Sequence, residues 1–157
     1  MIKILHNPDC FGIMKRLVYV IIILIIYTSL SYSKEVNCSS HNVYVIDADT
    51  IKLCNMKIRL NGISAAERGH VIYKSCKKIV EKIIAESETV SCKLTGDMTY
   101  DRHVGICRVT KKGKTEDLQQ KIIENGCARD CKRYSRGKYE IFETEASREL
   151  PLPNYCK

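Results

Sequence analysis

Two neighbouring segments decide the fold: VYVIDADTIKL at residues 43–53 and MKIRLNGI at residues 56–63. The first is rich in β-branched residues, and the second alternates between apolar and polar side chains. A period of two is typical of strands that bury one face. We therefore predict two strands that are joined by a tight turn at Cys54 and Asn55.

The segments that follow carry first a helical and then a strand pattern. Apolar residues from His70 to about Glu86 recur at helical spacing, and two later stretches are short and β-prone. The order of strands, helix, strands and two helices predicts a small α+β fold. A five-stranded barrel with peripheral helices fits this order. The later predicted elements are strands at 89–95 and 103–110 and helices from Thr115 to about Gly126 and from about Lys138 to Glu149.

The N-terminus has the composition of an export signal. Lys15 and Arg16 precede an apolar run at 17–30, and small residues follow up to Ser33. This order is typical of a secretory signal peptide that occupies residues 1–33, and it predicts a secreted or periplasmic protein. Met14, directly before the basic pair, is an alternative start.

The apolar run also bears on the membrane. It has about fourteen residues, fewer than the roughly twenty that a spanning helix needs. An anchor formed by uncleaved residues 17–30 is the alternative, and it would be the protein's one membrane contact. Residues 34–157 form the predicted domain.

Eight cysteines remain from Lys34 onward. An even number behind an export signal is typical of a disulfide framework. Zinc is the alternative, but the chain has no CxxC pair and no His-x-x-x-His spacing. The residues alone do not choose among the roughly 105 full pairings.

Basic residues outnumber acidic ones. From Lys34 onward there are 23 Lys and Arg against 17 Asp and Glu, a net charge of +6. Basic and aromatic side chains together suit phosphates and unstacked bases, with a solvated basic surface as the alternative. They are densest near the C-terminus: Arg129, Lys132, Arg133, Arg136 and Lys138, with Tyr134 and Tyr139 between them.

Carboxylates and a guanidinium in the first two strands suggest phosphate chemistry. Asp47 and Asp49 stand two apart on the predicted first strand, so both should point to one face. A hard divalent cation such as calcium would neutralise them, and a solvated strand-end pair is the alternative. Arg59 could bind a phosphate through two hydrogen bonds, and Glu67 could take a proton from water. Each is also compatible with an ordinary surface charge.

A second candidate for the phosphate is Arg102. Asp101 would then be its surface partner, and His103 a partly exposed strand residue.

Four segments, in one order, resemble the thermonuclease (staphylococcal nuclease-like) family. VIDADTI at 45–51 is similar to its V-x-D-G-D-T stretch, and IRLNGISAAE at 58–67 to its R-L-x-G-I-D-A-P-E stretch. YDRHVGIC at 100–107 resembles its Y-G-R segment. NGCA at 125–128, followed by RYS at 133–135, resembles its later N-G-x-A and aromatic region. The resemblance covers about Val43 to Arg148.

The resemblance implies a five-stranded oligonucleotide-binding (OB-fold) barrel with three peripheral helices that hydrolyses DNA and RNA with calcium. Arg59 and Arg102 would stabilise the charge that builds on the phosphate in the transition state. Glu67 would orient or deprotonate the attacking water. Asp49 would ligate the metal, with Asp47 in a supporting role.

The resemblance also implies partners and pairings. Tyr134, with Lys132 and Arg133 beside it, would lie on the nucleotide-binding side, and no obligate protein partner is inferred. On this scaffold Cys92 would bridge to Cys107 on a neighbouring strand, and Cys131 to Cys156 in the C-terminal tail. Cys38, Cys54, Cys76 and Cys127 receive no pairing.

Departures from the family pattern leave alternatives open. Ser64 stands where the family has a second metal-binding aspartate, and a hydroxyl is a weaker ligand, so calcium affinity should fall. Ala48 replaces a glycine, and Ala66 replaces a proline. The alternatives to an active nuclease are a catalytically inactive nucleic-acid-binding module and a disulfide-rich structural or inhibitory protein.

Overall fold

The computed structural model describes residues 15–16, 18–21 and 34–157. Residues 15–16 and 18–21 are helical, whereas Met14 and the expected cleavage point after Ser33 lie outside the described residues. No helix within the described part of the chain is long and apolar enough to cross a membrane. Residues 34–157 belong to a unit of their own.

Residues 34–157 contain nine strands, four α-helices and three short 3-10 helices. The strands are β1 (Glu35–Ser39), β2 (Val43–Asp47), β3 (Thr50–Leu53), β4 (Met56–Leu60), β5 (Ile63–Ala65), β6 (Thr89–Thr99), β7 (Arg102–Lys111), β8 (Lys114–Asp117) and β9 (Ala128–Asp130). The α-helices are α1 (Tyr73–Ala85), α2 (Leu118–Glu124), α3 (Lys132–Ser135) and α4 (Glu145–Arg148). The 3-10 helices are Ser40–Asn42, Glu140–Phe142 and Asn154–Cys156.

Seven strands form one mixed sheet. Its order is β1-β6-β7-β4-β3-β2, and β8 pairs with β7 outside this path. The pairs are antiparallel except β4 with β7, which is parallel. β5 and β9 form a separate two-stranded antiparallel sheet. The predicted α+β class is confirmed.

The large sheet is strongly curved. In a flat sheet, β1 and β2 would lie about 24 Å apart, since neighbouring strands are about 4.8 Å apart. Only residues 40–42 connect them, and three linking residues bridge at most about 14 Å. A disulfide also joins Cys38 of β1 to Cys54, after β3, with 6.1 Å between their Cα atoms. The two edges of the sheet therefore approach each other at this end, although no strand pairing within 34–157 closes it.

Helix α1 covers the core through its apolar face. Cys76, Val80 and Ile84 recur at every fourth position and are all buried. They belong to one cluster with inward-facing strand residues such as Ile51 and Ile58. The helix begins at Tyr73, three residues later than predicted, because residues 67–73 form two turns that close with backbone hydrogen bonds.

The first two predicted strands are each interrupted. The stretch 43–53 turns at Ala48 and Asp49, where the Asp47 side chain accepts a hydrogen bond from the Asp49 N–H. The stretch 56–63 turns at Asn61 and Gly62, where Gly62 has a φ of +79°. The predicted turn at Cys54 and Asn55 is confirmed. The strands predicted at 89–95 and 103–110 are longer, and they extend through most of the polar stretch between them.

Two helix predictions need correction. Residues 115–117 belong to β8, and Asp117 instead caps α2 by accepting from the Gln120 N–H. The single helix predicted at 138–149 is wrong, because Glu143 is extended and Thr144 caps a new short helix. The carboxylate of the buried Asp130 also accepts a hydrogen bond from the Tyr139 N–H and fixes the backbone at this position.

Four disulfides staple residues 34–157. Cys92–Cys107 joins β6 to β7, and Cys131–Cys156 holds the C-terminal tail, so both expected bridges are confirmed. The remaining cysteines pair as Cys38–Cys54 and Cys76–Cys127. The second of these ties α1 to the chain after α2 across a separation of 51 residues.

Candidate active site

The turn between β2 and β3 positions the carboxylate at the centre of the site. Asp49 is 8% exposed, so it is not the solvated strand-end group of the alternative interpretation. One of its carboxylate oxygens accepts from the Ala65 N–H at 3.0 Å, and the other from the Thr50 hydroxyl at 3.2 Å. Two residues, one from β3 and one from β5, therefore fix this group.

Arg59 is the charge partner of Asp49. Its Nη2 lies 2.9 Å from the Asp49 carboxylate, and its side chain is only 15% exposed. The guanidinium also donates to the carbonyls of Asp49, Leu60 and Ile63 at 3.0–3.2 Å. Arg59 is therefore not an ordinary surface charge: it is held between the turn and the start of β5.

The parallel pairing of β4 with β7 brings a second guanidinium to this place. Ile58 pairs with His103, so Arg102 begins β7 beside β4. Its Nη1 lies 3.3 Å from the Thr50 hydroxyl, which itself donates to Asp49. Thr50 therefore connects Arg102 to the ion pair of Asp49 and Arg59.

Asp101 does not pair with Arg102 as expected. Its carboxylate accepts from Lys57, and this hydrogen bond lowers the pKa of Asp101. The Arg102 guanidinium instead lies 5.7 Å from the ring of Tyr100. His103 is partly exposed on β7, as predicted.

A cleft of about 180 Å³ lies beside the ion pair. Glu67 lines this cleft together with Asp47 and Asp49. Glu67 itself is exposed, in the loop after β5. The lining residues are Asp47, Asp49, Ala65, Ala66, Glu67, Arg68 and Tyr73.

The pKa of Asp47 is raised by its surroundings in this cleft. Partial burial, and then the charge of Asp49, raise the pKa of Asp47 to about 6. Two close carboxylates disfavour the doubly ionised state. A cation bound between them would relieve this repulsion, so the donor chemistry fits a hard divalent ion.

The ligand set is small. The described residues contain no group of three or more His, Cys, Asp or Glu side chains that could hold a metal. Ser64 is buried in β5 opposite Arg129 and does not line the cleft. A cation would therefore rely on Asp47 and Asp49, with water or a bound phosphate as further ligands.

The C-terminal basic cluster is largely paired with acidic side chains. Lys132 lies 2.6 Å from Glu140, and Lys138 lies 2.7 Å from Asp117. Arg129 contacts Glu143 at 3.5 Å. The cluster is therefore not a continuous stripe of free cations.

Tyr134 and Arg133 remain available on α3. Tyr134 is 50% exposed, and the Arg133 guanidinium lies 5.9 Å from its ring. Helix α3 packs on the β4–β5 turn, since a Cβ at Gly62 would lie 2.9 Å from that of Ser135. Neither Tyr134, Arg133 nor Lys132 lines the cleft.

The sequence prediction missed three contributors to the site. Thr50 links the second guanidinium to Asp49, and Arg68 and Tyr73 line the cleft. Thr50 directly follows Asp49 in the motif, so its position was a usable signal. Nothing in the sequence distinguishes Arg68 and Tyr73 from surface residues.

Comparison with known proteins finds a distant relative. No family model matches the chain. The chain is 27% identical over 112 residues to the succinoglycan biosynthesis protein ExoI of Rhizobium meliloti (strain 1021). The match covers 65% of this chain and 57% of the relative, so it spans less than two thirds of that protein's length.

Proposed function

We propose that this protein is an exported nuclease that hydrolyses phosphodiester bonds of DNA and RNA, as a member of the thermonuclease family. One observation carries the proposal. Two guanidinium groups, Arg59 and Arg102, meet at the Asp49–Thr50 turn, and Glu67 lines the cleft beside it. This set combines phosphate-binding cations with a candidate base.

The fold proposed with this function is the OB-fold barrel. The curvature of the sheet supports it, because the short link from β1 to β2 brings the first and last strands of the sheet order together. Irregular pairing in β2 and in β6 adds local bends of the kind that curved sheets use. The α-helices would then lie around this barrel.

The chemistry follows from what each side chain can do. Glu67, exposed in the cleft, would take a proton from the attacking water. Arg59 and Arg102 would donate to the non-bridging oxygens, where negative charge builds in the transition state. Arg59 now donates to four acceptors, so contact with a phosphate requires it to exchange at least one of them.

The proposed metal is calcium. Asp49 and Asp47 would hold it, and it would supply a positive charge for the phosphate and the water. Ser64 does not line the cleft, so the affinity should lie below that of a site with three carboxylates.

Export is proposed together with the function. Four disulfides are typical of proteins that fold in an oxidising compartment. They are consistent with the signal peptide proposed at residues 1–33.

Digestion of single-stranded DNA tests the proposal. The purified, oxidised protein is expected to cleave with calcium and to stop when a chelator is added. Glu67→Gln should lower the rate by at least about 100-fold, whereas Glu149→Gln, an exposed acidic residue elsewhere, should not. If salt-sensitive binding occurs without any cleavage, the chain is the inactive nucleic-acid-binding module instead.

A further inference from the structure

Three exposed side chains form a row across β2, β3 and β4. Tyr44 pairs with Lys52, and Lys52 pairs with Lys57, as direct cross-strand neighbours. Such neighbours share one face of a sheet, with Cβ atoms about 5 Å apart. Tyr44 is 61% exposed, and both lysines are exposed. We call Tyr44, Lys52 and Lys57 the outer row.

The outer row lies on the same sheet face as the candidate site. Thr50 and Arg59 are also cross-strand partners, and each lies two residues along its strand from a lysine of the row. Residues two apart on a strand point to the same side and are separated by about 7 Å. Arg102 reaches Thr50 on this face. If one phosphate of a nucleic-acid strand lies at Arg59 and Arg102, the next nucleotide of that strand therefore reaches the outer row.

The charges around the row suit a polyanion. Lys57 pairs with Asp101, whose side chain is 67% exposed, so a phosphate in solvent can compete with it. The Lys77 ammonium lies 5.1 Å from the centre of the Tyr44 ring and adds a third cation, which pairs at 3.9 Å with the exposed Glu81. Lysine ammonium groups bind phosphates as point charges.

The space beside the row can accept a flat ring. Tyr44 and Lys52 line an open groove of about 560 Å³, together with His41 and Asn55. An exposed tyrosine next to lysines is the combination that proteins use to bind unpaired bases and their backbone. In a duplex the base faces are already stacked, so this combination favours a single strand.

We propose that the outer row binds the nucleotide next to the scissile phosphate of a single-stranded nucleic acid. Tyr44 stacks on the base, and Lys52 and Lys57 contact the backbone phosphates. The inference rests on the proposed function for the identity of the scissile phosphate, but the binding it describes is measurable without cleavage.

Binding is measured by fluorescence anisotropy with a fluorescein-labelled oligothymidine of twelve nucleotides, in chelator, on a Glu67→Gln background. Tyr44→Ala should weaken binding at least about fivefold, and Tyr44→Phe should restore it, because the ring and not the hydroxyl stacks. Lys52→Ala with Lys57→Ala should reduce the slope of log affinity against log salt by about 1.4, since each contact to a single strand contributes about 0.7.

A matched double variant supplies the control. Lys93→Ala with Lys157→Ala removes the same charge from exposed positions outside the row. If this pair weakens binding as much as the row variants, or if Tyr44→Ala has no effect, the outer row is not a nucleotide subsite. Absence of binding to the oligonucleotide at low salt also overturns it, and it would favour an acidic protein as the partner of this surface.

Cleavage assays separate this inference from the proposed function. With the active chain, the row variants should lower kcat/KM for the twelve-nucleotide substrate and leave a minimal phosphodiester, bis(4-nitrophenyl) phosphate, unaffected. If the row variants leave kcat/KM for the twelve-nucleotide substrate unchanged, the subsite is overturned and the proposed nuclease activity is not. If the protein cleaves no substrate but the row variants still weaken oligonucleotide binding, the nuclease proposal is overturned and the subsite for a nucleotide is supported.

Discussion

Asp47→Asn should make the folded protein more stable at neutral pH. The Asp47 carboxylate has a pKa of about 6 in the folded protein, against an ordinary value of 3.8. The folded state therefore binds more protons between these two pH values, so the contribution of Asp47 to stability is fully present below about pH 4 and is lost as the pH rises through about 6. Asparagine removes this loss, and its side-chain oxygen can still accept the Asp49 N–H.

The size of the effect follows from the shift. A change of about two pKa units corresponds to about 3 kcal/mol, and solvent screening of a half-buried carboxylate reduces this to about 1–2 kcal/mol. Urea denaturation of the oxidised protein, in chelator, from pH 4 to pH 8 measures it. The variant and the natural protein should be nearly equal at pH 4 and should separate at pH 8.

Asp101→Asn is the matched control. Lys57 lowers the pKa of Asp101, so this substitution should not stabilise the protein at any pH. If Asp47→Asn is neutral or destabilising at pH 8, burial and the charge of Asp49 do not raise the pKa of Asp47 as the structure indicates.

Three further predictions concern a disulfide, the glycine turn at Gly62 and the proposed calcium. Replacing Cys76 and Cys127 by serine should cost about 4 kcal/mol in urea denaturation, because this bridge closes a loop of 51 residues; a loss below about 1 kcal/mol would contradict it. Gly62→Ala should lower Tm more than Gly69→Ala, since both have positive φ but only Gly62 meets another residue at 2.9 Å; equal shifts would contradict that packing. Saturating calcium should raise the Tm of the natural protein more than that of Asp47→Asn, and equal shifts would argue against Asp47 as a ligand.

The periodicity of the sequence was sufficient to predict which residues form the core and to which class the fold belongs. Alternation in residues 56–60 and helical spacing in α1 depend on which side chains are buried, and that is a local property of the pattern. The parallel pairing of β4 with β7 could not be predicted in this way. It depends on contacts between segments that lie more than forty residues apart.

Errors in the prediction arose where a side chain competes with regular backbone pairing. Asp47 accepts the Asp49 N–H and turns the chain inside a run of β-branched residues. Thr144 likewise starts a new helix inside a segment that was predicted to be one helix. Asp47 and Asp49 therefore share a cleft because of a turn, and not because they alternate on one strand.

The motifs pointed to part of the candidate site but not to its contacts, and Ser64 and Tyr134 do not line the cleft. The motifs singled out Asp49, Arg59, Glu67 and Arg102, and the structure places them around one turn and its cleft. The burial of Arg59 and the linking role of Thr50 depend on tertiary packing, which the sequence pattern does not contain.

The central claim is that Arg59 and Arg102 act on one phosphate, and a double-mutant cycle on kcat/KM for single-stranded DNA tests it. Arg59→Lys keeps a cation beside Asp49, and Arg102→Lys keeps the charge at the start of β7, but neither reproduces two directed hydrogen bonds. We predict that each lowers kcat/KM at least about 10-fold and that the double variant loses less than the product of the two, because groups that act as a unit are not additive. Strictly multiplicative losses, or full activity in either single variant, would contradict the shared phosphate.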